Sequence, residues 1–175
     1  LRLLGAQLPT IVIESKDLYP TALAGTAPVG YSLGQAKDVD LAPVPMSPLF
    51  GKPSLTIVTY GFAASLVRDA LSILATSAEI AIDVVVLQIV SPLDMQEILL
   101  SAQQTKKILV VEEGFPSQGL SASIVEGLTN SDISGVTLSA VGQKREIGAS
   151  KFAEDDALLS VASIISAVQK IVGKS

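Results

Sequence analysis

Apolar residues recur along this chain in two patterns, and from Leu55 onwards the patterns alternate. Leu55–Tyr60 (LTIVTY), Asp83–Ile89, Lys106–Glu112 (KKILVVE) and Val136–Val141 are short, β-branched and apolar at almost every position, as strands covered on both faces are. Between them the period lengthens to that of a helix. Phe62–Thr76 sets Leu66, Ala70, Ile73 and Leu74 on one face and turns Arg68 and Asp69 outward. Asp94 with Glu97 three residues later has the spacing of a capping box and predicts a helix over Met95–Gln104. Leu120, Ile124 and Leu128 predict a short third helix, and a last one runs to Val172, with Asp155 and Asp156 placed where a helix start favours negative charge. Strands alternating with helices at this cadence predict a three-layer α/β/α fold around a mostly parallel sheet.

Upstream the pattern is less regular. Residues 9–15 (PTIVIES) read as a buried strand, 16–33 as a wrapping loop rich in Pro, Gly, Ala and Thr, and 33–39 as another short strand. Four prolines (Pro43, Pro45, Pro48 and Pro53) fall within 40–54, which reads as a stiff linker. The organisation expected is therefore 1–37 as the end of a preceding domain, 38–54 as linker, and 55–175 as the main domain. The chain opens on Leu1 without a secretory pattern and is read as a piece of a longer one.

The last helix carries Ser160, Ser163 and Ser166 as a narrow hydroxyl stripe, with aliphatic residues round most of the remaining circumference. A helix on the outside of a solitary domain shows a broad charged face. The expectation is that this one packs on its own sheet on one side and on another subunit or domain on the other.

Composition narrows the chemistry. The 175 residues are 49% hydrophobic but only 17% charged and 4% aromatic, so the apolar surplus is aliphatic. The longest apolar stretch, Ile80–Val90, is interrupted by Asp83 and Gln88 and is too short to span a bilayer. A net charge of −5 argues against a nucleic-acid surface and favours basic partners. There is no His, no Cys and no Trp, which removes Ser-His-Asp and Cys-His catalysis, His-ligated zinc, disulfides and iron–sulfur clusters. Acid–base work would fall to Asp, Glu, Lys or Tyr.

Ligands of parallel sheets meet the carboxyl ends of the strands. Here those ends are Tyr60-Gly61, Val90-Ser91, Glu112-Glu113-Gly114 and Val141-Gly142. Glu112-Glu113 is the one adjacent acid pair at such an end, but neighbours on a strand point to opposite faces, so an interface or loop-ordering role outweighs shared catalysis. No dinucleotide fingerprint, P-loop or nucleophile elbow is present: Gly25, Gly30 and Gly34 lack the first spacing, and Tyr60-Gly61-Phe62 with Ser65 lacks the last.

Three segments in this order, LTIVTYG (Leu55–Gly61), SPLDMQEIL (Ser91–Leu99) and KKILVVEEGFPSQG (Lys106–Gly119), resemble the carboxyl-terminal, transketolase-type domain of the β-subunit of thiamine diphosphate-dependent 2-oxo acid dehydrogenases. VVEEGFPSQG looks most like the pyruvate dehydrogenase branch, and Ile11–Lys37 resembles the end of the preceding pyrimidine-binding domain. The resemblance covers residues 9–172. It implies a five-stranded mixed sheet whose first strand, near Gly34–Val39, runs antiparallel to the others.

The same resemblance implies that thiamine diphosphate and magnesium belong to the full assembly and that this fragment binds neither. The catalytic carboxylate of the pyrimidine domain and the diphosphate–magnesium motif lie in stretches outside this sequence. It implies as partners an α-subunit, a second β-subunit and the dihydrolipoyl acyltransferase component, with no nucleic acid and no membrane, in a bacterial cytoplasm or mitochondrial matrix. The interface or docking candidates are Tyr60, Gly61, Gln88, Glu112, Glu113 and Phe115 at the strand ends, and Ile164 and Val168 on the last helix. Two departures stand out: Val86-Leu87-Gln88 replaces the family's usual Asp-Leu-Arg, and the 40–54 stretch is longer and richer in proline. They leave room for a divergent or inactive homologue. The alternatives are another thiamine diphosphate enzyme, such as a transketolase or deoxyxylulose phosphate synthase, or a stand-alone ligand-binding α/β module. The absence of His counts against the sugar-phosphate enzymes.

Overall fold

The computed structural model describes residues 9–19, 27–34, 42–144, 146, 150 and 157–173. Among these residues, six strands and four α-helices follow in the order β1 (Tyr31–Leu33), β2 (Val44–Pro48), β3 (Thr56–Tyr60), α1 (Ala63–Ser77), β4 (Asp83–Leu87), α2 (Gln96–Thr105), β5 (Lys107–Val111), α3 (Leu120–Thr129), β6 (Thr137–Val141) and α4 (Val161–Val172). They build one sheet of order β1-β2-β4-β3-β5-β6. The four strands from β3 onwards are parallel to one another, and β2 runs antiparallel to both β1 and β4. Among the described residues no helix is long and apolar enough to cross a membrane.

Alternate residues of the central strands feed two separate cores. Ile57, Val84, Leu109 and Val111 face α1 and α4, whereas Val58, Val85, Ile108 and Val110 face α2 and α3. That two-sided burial is why these strands read as continuous apolar runs. In α1 the buried stripe is Ala63, Val67, Ala70, Leu71 and Leu74. It is rotated from the one predicted: Leu66 is only partly buried and Ile73 is 45% exposed. Packing of Val67 and Leu71 against the sheet decides the rotation, which periodicity fixes only to within a neighbouring position.

The upstream expectations change most. Residues 9–15 form no strand; Ile11, Val12 and Ile13 are 90%, 61% and 84% exposed. The first strand is Tyr31–Leu33 rather than 33–39, of which 35–39 lie outside the described residues, and it has the same sense as β3–β6; the strand that runs against the others is β2. Within the stretch read as linker lies β2, so the sheet has six strands and not five. Its prolines fit because neither has to donate to the β2–β4 ladder. Pro45, opposite Val85, turns its backbone groups towards β1, where its carbonyl accepts Gly34 N–H at 2.7 Å just past the last β1–β2 pair, and Pro48 lies beyond the last β2–β4 pair, Met46–Val84.

Helix ends follow local chemistry. Asp94 Oδ1 accepts Gln96 N–H at 2.9 Å at the start of α2. The predicted cap at Asp155 and Asp156 lies outside the described residues. Instead α4 starts at a reciprocal capping box in which Ser163 N–H donates to Ser160 Oγ and Ser160 N–H to Ser163 Oγ.

The sheet buries one chain of hydroxyls. Thr56 Oγ1 lies 2.7 Å from both Ser101 Oγ and Thr105 Oγ1, and Ser101 Oγ donates to Asp83 Oδ2 at 3.0 Å. These bonds tie α2 to the amino ends of β3 and β4. Thr56→Val keeps the shape and removes the central partner; it is expected to cost about 1–2 kcal/mol and to lower Tm by a few degrees. An unchanged Tm would show that the hydroxyls contribute only packing.

Tyr31 stacks edge-on against Phe50, with ring centroids 5.9 Å apart, and its hydroxyl is buried beside the Ile82 backbone without reaching hydrogen-bond geometry. Burial, reinforced by the charge of Asp83, pushes its pKa up to about 12. A phenol that holds its proton more tightly when folded stabilises the fold fully below pH 10 and loses that contribution as pH rises towards 12. Urea titrations from pH 8 to pH 11.5 should show stability falling at roughly 1.4 kcal/mol per pH unit at most. Tyr31→Phe is expected to flatten that fall.

Candidate functional site

The carboxyl edge of the parallel strands gathers most of the predicted residues. Tyr60 ends β3 in register with Leu87 of β4. The chain then turns at Gly61, whose φ of +58° suits glycine and which leaves open the space beside Glu113: a Cβ there would lie 3.5 Å from Glu113 Oε2. Burial first, then the charges of Glu112 and Glu113, raises the Tyr60 pKa above its ordinary value.

Glu112, the residue after β5, is the only fully buried carboxylate among the described residues. Its Oε2 accepts Leu120 N–H at 2.9 Å, so a strand-end side chain caps the first turn of α3. Its Oε1 has no partner in hydrogen-bond geometry, although the Tyr60 phenol is its neighbour. Gly119 lies directly against the carboxylate, and any Cβ there would overlap it. Since Gly119 has φ −107°, lack of space and not conformation demands glycine.

The intervening loop is stitched to its surroundings. Gln118 N–H donates to Phe115 O at 3.0 Å, Ser121 Oγ to Pro116 O at 2.5 Å, and Gln143 N–H to Gly114 O at 3.0 Å. A Cβ on Gly142 would overlap Gly114 O, so β6 also presses on this loop. Glu113 and Phe115 are left half-buried on its outer side. The two acids therefore separate as expected for adjacent residues, Glu112 inward and Glu113 at the surface.

Other candidates fall elsewhere. The Gln88 amide donates to Ala42 O at 2.8 Å, tying the end of β4 to the approach to β2. Ile164 and Val168 are fully buried in the chain's own core between α1 and the sheet, so neither can touch a partner. The flanking Val161, Ile165, Ile171 and Val172 also pack on that core, and the stripe left exposed is Ala162, Ser166 and Lys170. Most of the aliphatic circumference that pointed to a second subunit is covered by the chain itself.

Among the described residues no group of three His, Cys, Asp or Glu could hold a metal ion. An open cavity of about 610 Å³ lies between β5, β6 and α4, lined in part by Lys107, Thr137, Ser139 and Lys170. Lys107 donates from Nζ to Ile171 O at 3.1 Å and so caps the end of α4 rather than a ligand site. Sequence reasoning missed the roles of Gly119 and Gly142, because the contacts that require them come from residues distant in the fold.

Residues 50–164 match the family model for the transketolase C-terminal domain. The chain belongs to this family. The transketolase C-terminal domain described here is 32% identical over 123 residues to the pyruvate dehydrogenase E1 component subunit beta of Rickettsia bellii, an alignment covering 66% of this chain and 33% of that protein. It is 29% identical over 117 residues to the same subunit of Rickettsia felis, covering 66% and 32%. The chain thus spans about a third of the length of these relatives. Among solved structures it is similar to a split-gene transketolase in an inactive β4 tetramer, with a TM-score of 0.62 and 24% identity over 74% of this chain and 42% of that one. It is also similar to a 2-oxoglutarate:ferredoxin oxidoreductase from Magnetococcus marinus, with a TM-score of 0.51 and 18% identity over 70% and 18%. At these identities the two structures speak for the fold alone. The transketolase-type carboxyl-terminal domain that the three segments resemble is the family found.

For this domain the geometry predicts coupling between Glu112 and Gly119. Glu112→Ala removes the cap of α3, and Gly119→Ala forces a methyl group into the carboxylate; each is expected to cost about 1–3 kcal/mol. In the double variant the methyl group enters the vacated space, so the combined loss should fall short of the sum by about 1 kcal/mol or more. Strict additivity in denaturant titrations would contradict this packing.

Proposed function

We propose that this chain is the carboxyl-terminal part of the β-subunit of a 2-oxo acid dehydrogenase decarboxylating component, with pyruvate as the substrate of the whole enzyme. In that role it builds subunit interfaces and offers a docking surface to the acyltransferase component. The whole enzyme decarboxylates the 2-oxo acid with thiamine diphosphate and magnesium, passes the acyl group to a lipoyl arm, and works in a bacterial cytoplasm or mitochondrial matrix. The similarity to pyruvate dehydrogenase subunits supports the family branch.

The observation that carries the assembly role is the run Ile11–Val12–Ile13, three consecutive β-branched residues left largely in water. Such a run is a strand in want of a sheet. A preceding pyrimidine-binding domain is the sheet we assign to it. Cofactor chemistry then belongs to other parts of the assembly. In support, Glu112 is closed in by Gly119 and committed to Leu120, which takes this carboxylate out of reach of a bound cofactor. Docking falls to Tyr60, Gly61, Gln88, Glu113 and Phe115, the candidates with surface left to offer.

Two measurements test the reading. Calorimetric titration of this chain with thiamine diphosphate and magnesium should give no binding heat; micromolar affinity would defeat the non-catalytic assignment. The intact gene product, produced together with an α-subunit, should form a heterotetramer by light scattering and release carbon dioxide from pyruvate. A gene product that stays monomeric beside the α-subunit would remove the assembly role.

A further inference from the structure

Helix α2 is weakly anchored for a buried layer: of its four buried residues only Ile98 and Ala102 are apolar, and Ser101 and Thr105 are held through hydroxyls. Its amino end depends on Met95, the residue just before the first turn, which is half-buried against the second core. Met95 lies flat on Gly127 of α3; a Cβ at Gly127 would sit 2.7 Å from Met95 Sδ and Cε and 2.8 Å from Cγ. A glycine inside a helix costs about 1 kcal/mol relative to alanine. Here that cost makes the seat for the thioether.

Sulfur is scarce in this protein. It has no Cys and two Met, and the other, Met46, is 5% exposed in the middle of β2. We propose that Met95 is an oxidation site through which peroxide loosens α2 from α3. Hydrogen peroxide transfers one oxygen to the thioether as its O–O bond breaks; sulfur loses two electrons, and the second peroxide oxygen leaves as water. The product carries a polar oxygen on an atom already in contact with Gly127, so the side chain must leave its seat. The first turn of α2 loses the contact with α3 that Met95 makes at Gly127. The change is reversible, because methionine sulfoxide reductases remove the oxygen.

The test is peroxide treatment of the chain, followed by peptide mass mapping, thermal unfolding and hydrogen exchange. Met95 sulfoxide should form several-fold faster than Met46 sulfoxide, lower Tm by roughly 2–4 °C or more, and speed exchange over 96–105. Met95→Leu should fold and lose the response. In Met46→Leu, where Met95 is the only sulfur, the response should persist and reverse with methionine sulfoxide reductase and a thiol reductant. Equal oxidation rates at the two residues, full Met95 oxidation with Tm and exchange unchanged, or a Met95→Leu variant still sensitive to peroxide would each overturn the proposal.

Discussion

Everything in this fold follows from enclosing β3 and β5 between two layers. From Leu55 to Thr59 and from Ile108 to Val111 every side chain is buried, so neither strand has a face that water can reach. A charge there would lose its hydration without recovering it. The strands are therefore aliphatic, and the polar side chains they keep are the small hydroxyls of Thr56 and Thr59, the second of which is buried without a hydrogen-bond partner. Thr56 is satisfied, since its hydroxyl is shared with Ser101 and Thr105 while Asp83 takes the end of the chain where water is within reach. The low charged fraction of the whole chain reflects the same enclosure.

The carboxyl edge is where that enclosure stops. Glu112 comes immediately after the last residue of β5, and its carboxylate is tolerated there because the amino end of α3 supplies an N–H and a favourable dipole. Gly119 lets backbone close down on that carboxylate, and Gly142 lets it close on the backbone carbonyls of Glu112 and Gly114. The result is a loop held in place from within, carrying Phe115 and Glu113 half-exposed on its outside. An edge so organised suits a surface that others recognise, and it places the inward member of the acid pair beyond the reach of a substrate.

The apolar surplus divides into two unequal parts. Most of it is used internally, including nearly all of α4, whose aliphatic residues divide between α1, β5 and β6. The longest exposed run of the remainder stands at Ile11–Ile13, which nothing among the described residues covers; Val29 and Leu49 are exposed singly. A helix with almost no charged face and an exposed β-branched run look alike in hydropathy, and only packing distinguishes the one that is covered from the one that is not.

The sequence by itself determined the fold class, the family and the identity of the elements from β3 to α4, because two-face burial writes itself as unbroken aliphatic runs and helical faces as a repeat close to 3.6 residues. Glu112 was legible as a strand-end acid for the same reason. The tertiary structure alone decided that a proline-bearing stretch joins the sheet as β2, since a ladder's ends are set by its neighbours and not by its own residues. It decided that Ile164 and Val168 face inward, that Gln88 serves Ala42, and that Gly119 must lack a side chain. Each of these depends on which distant residue fills the adjacent space, and pairwise proximity of that kind leaves no periodic trace along the chain.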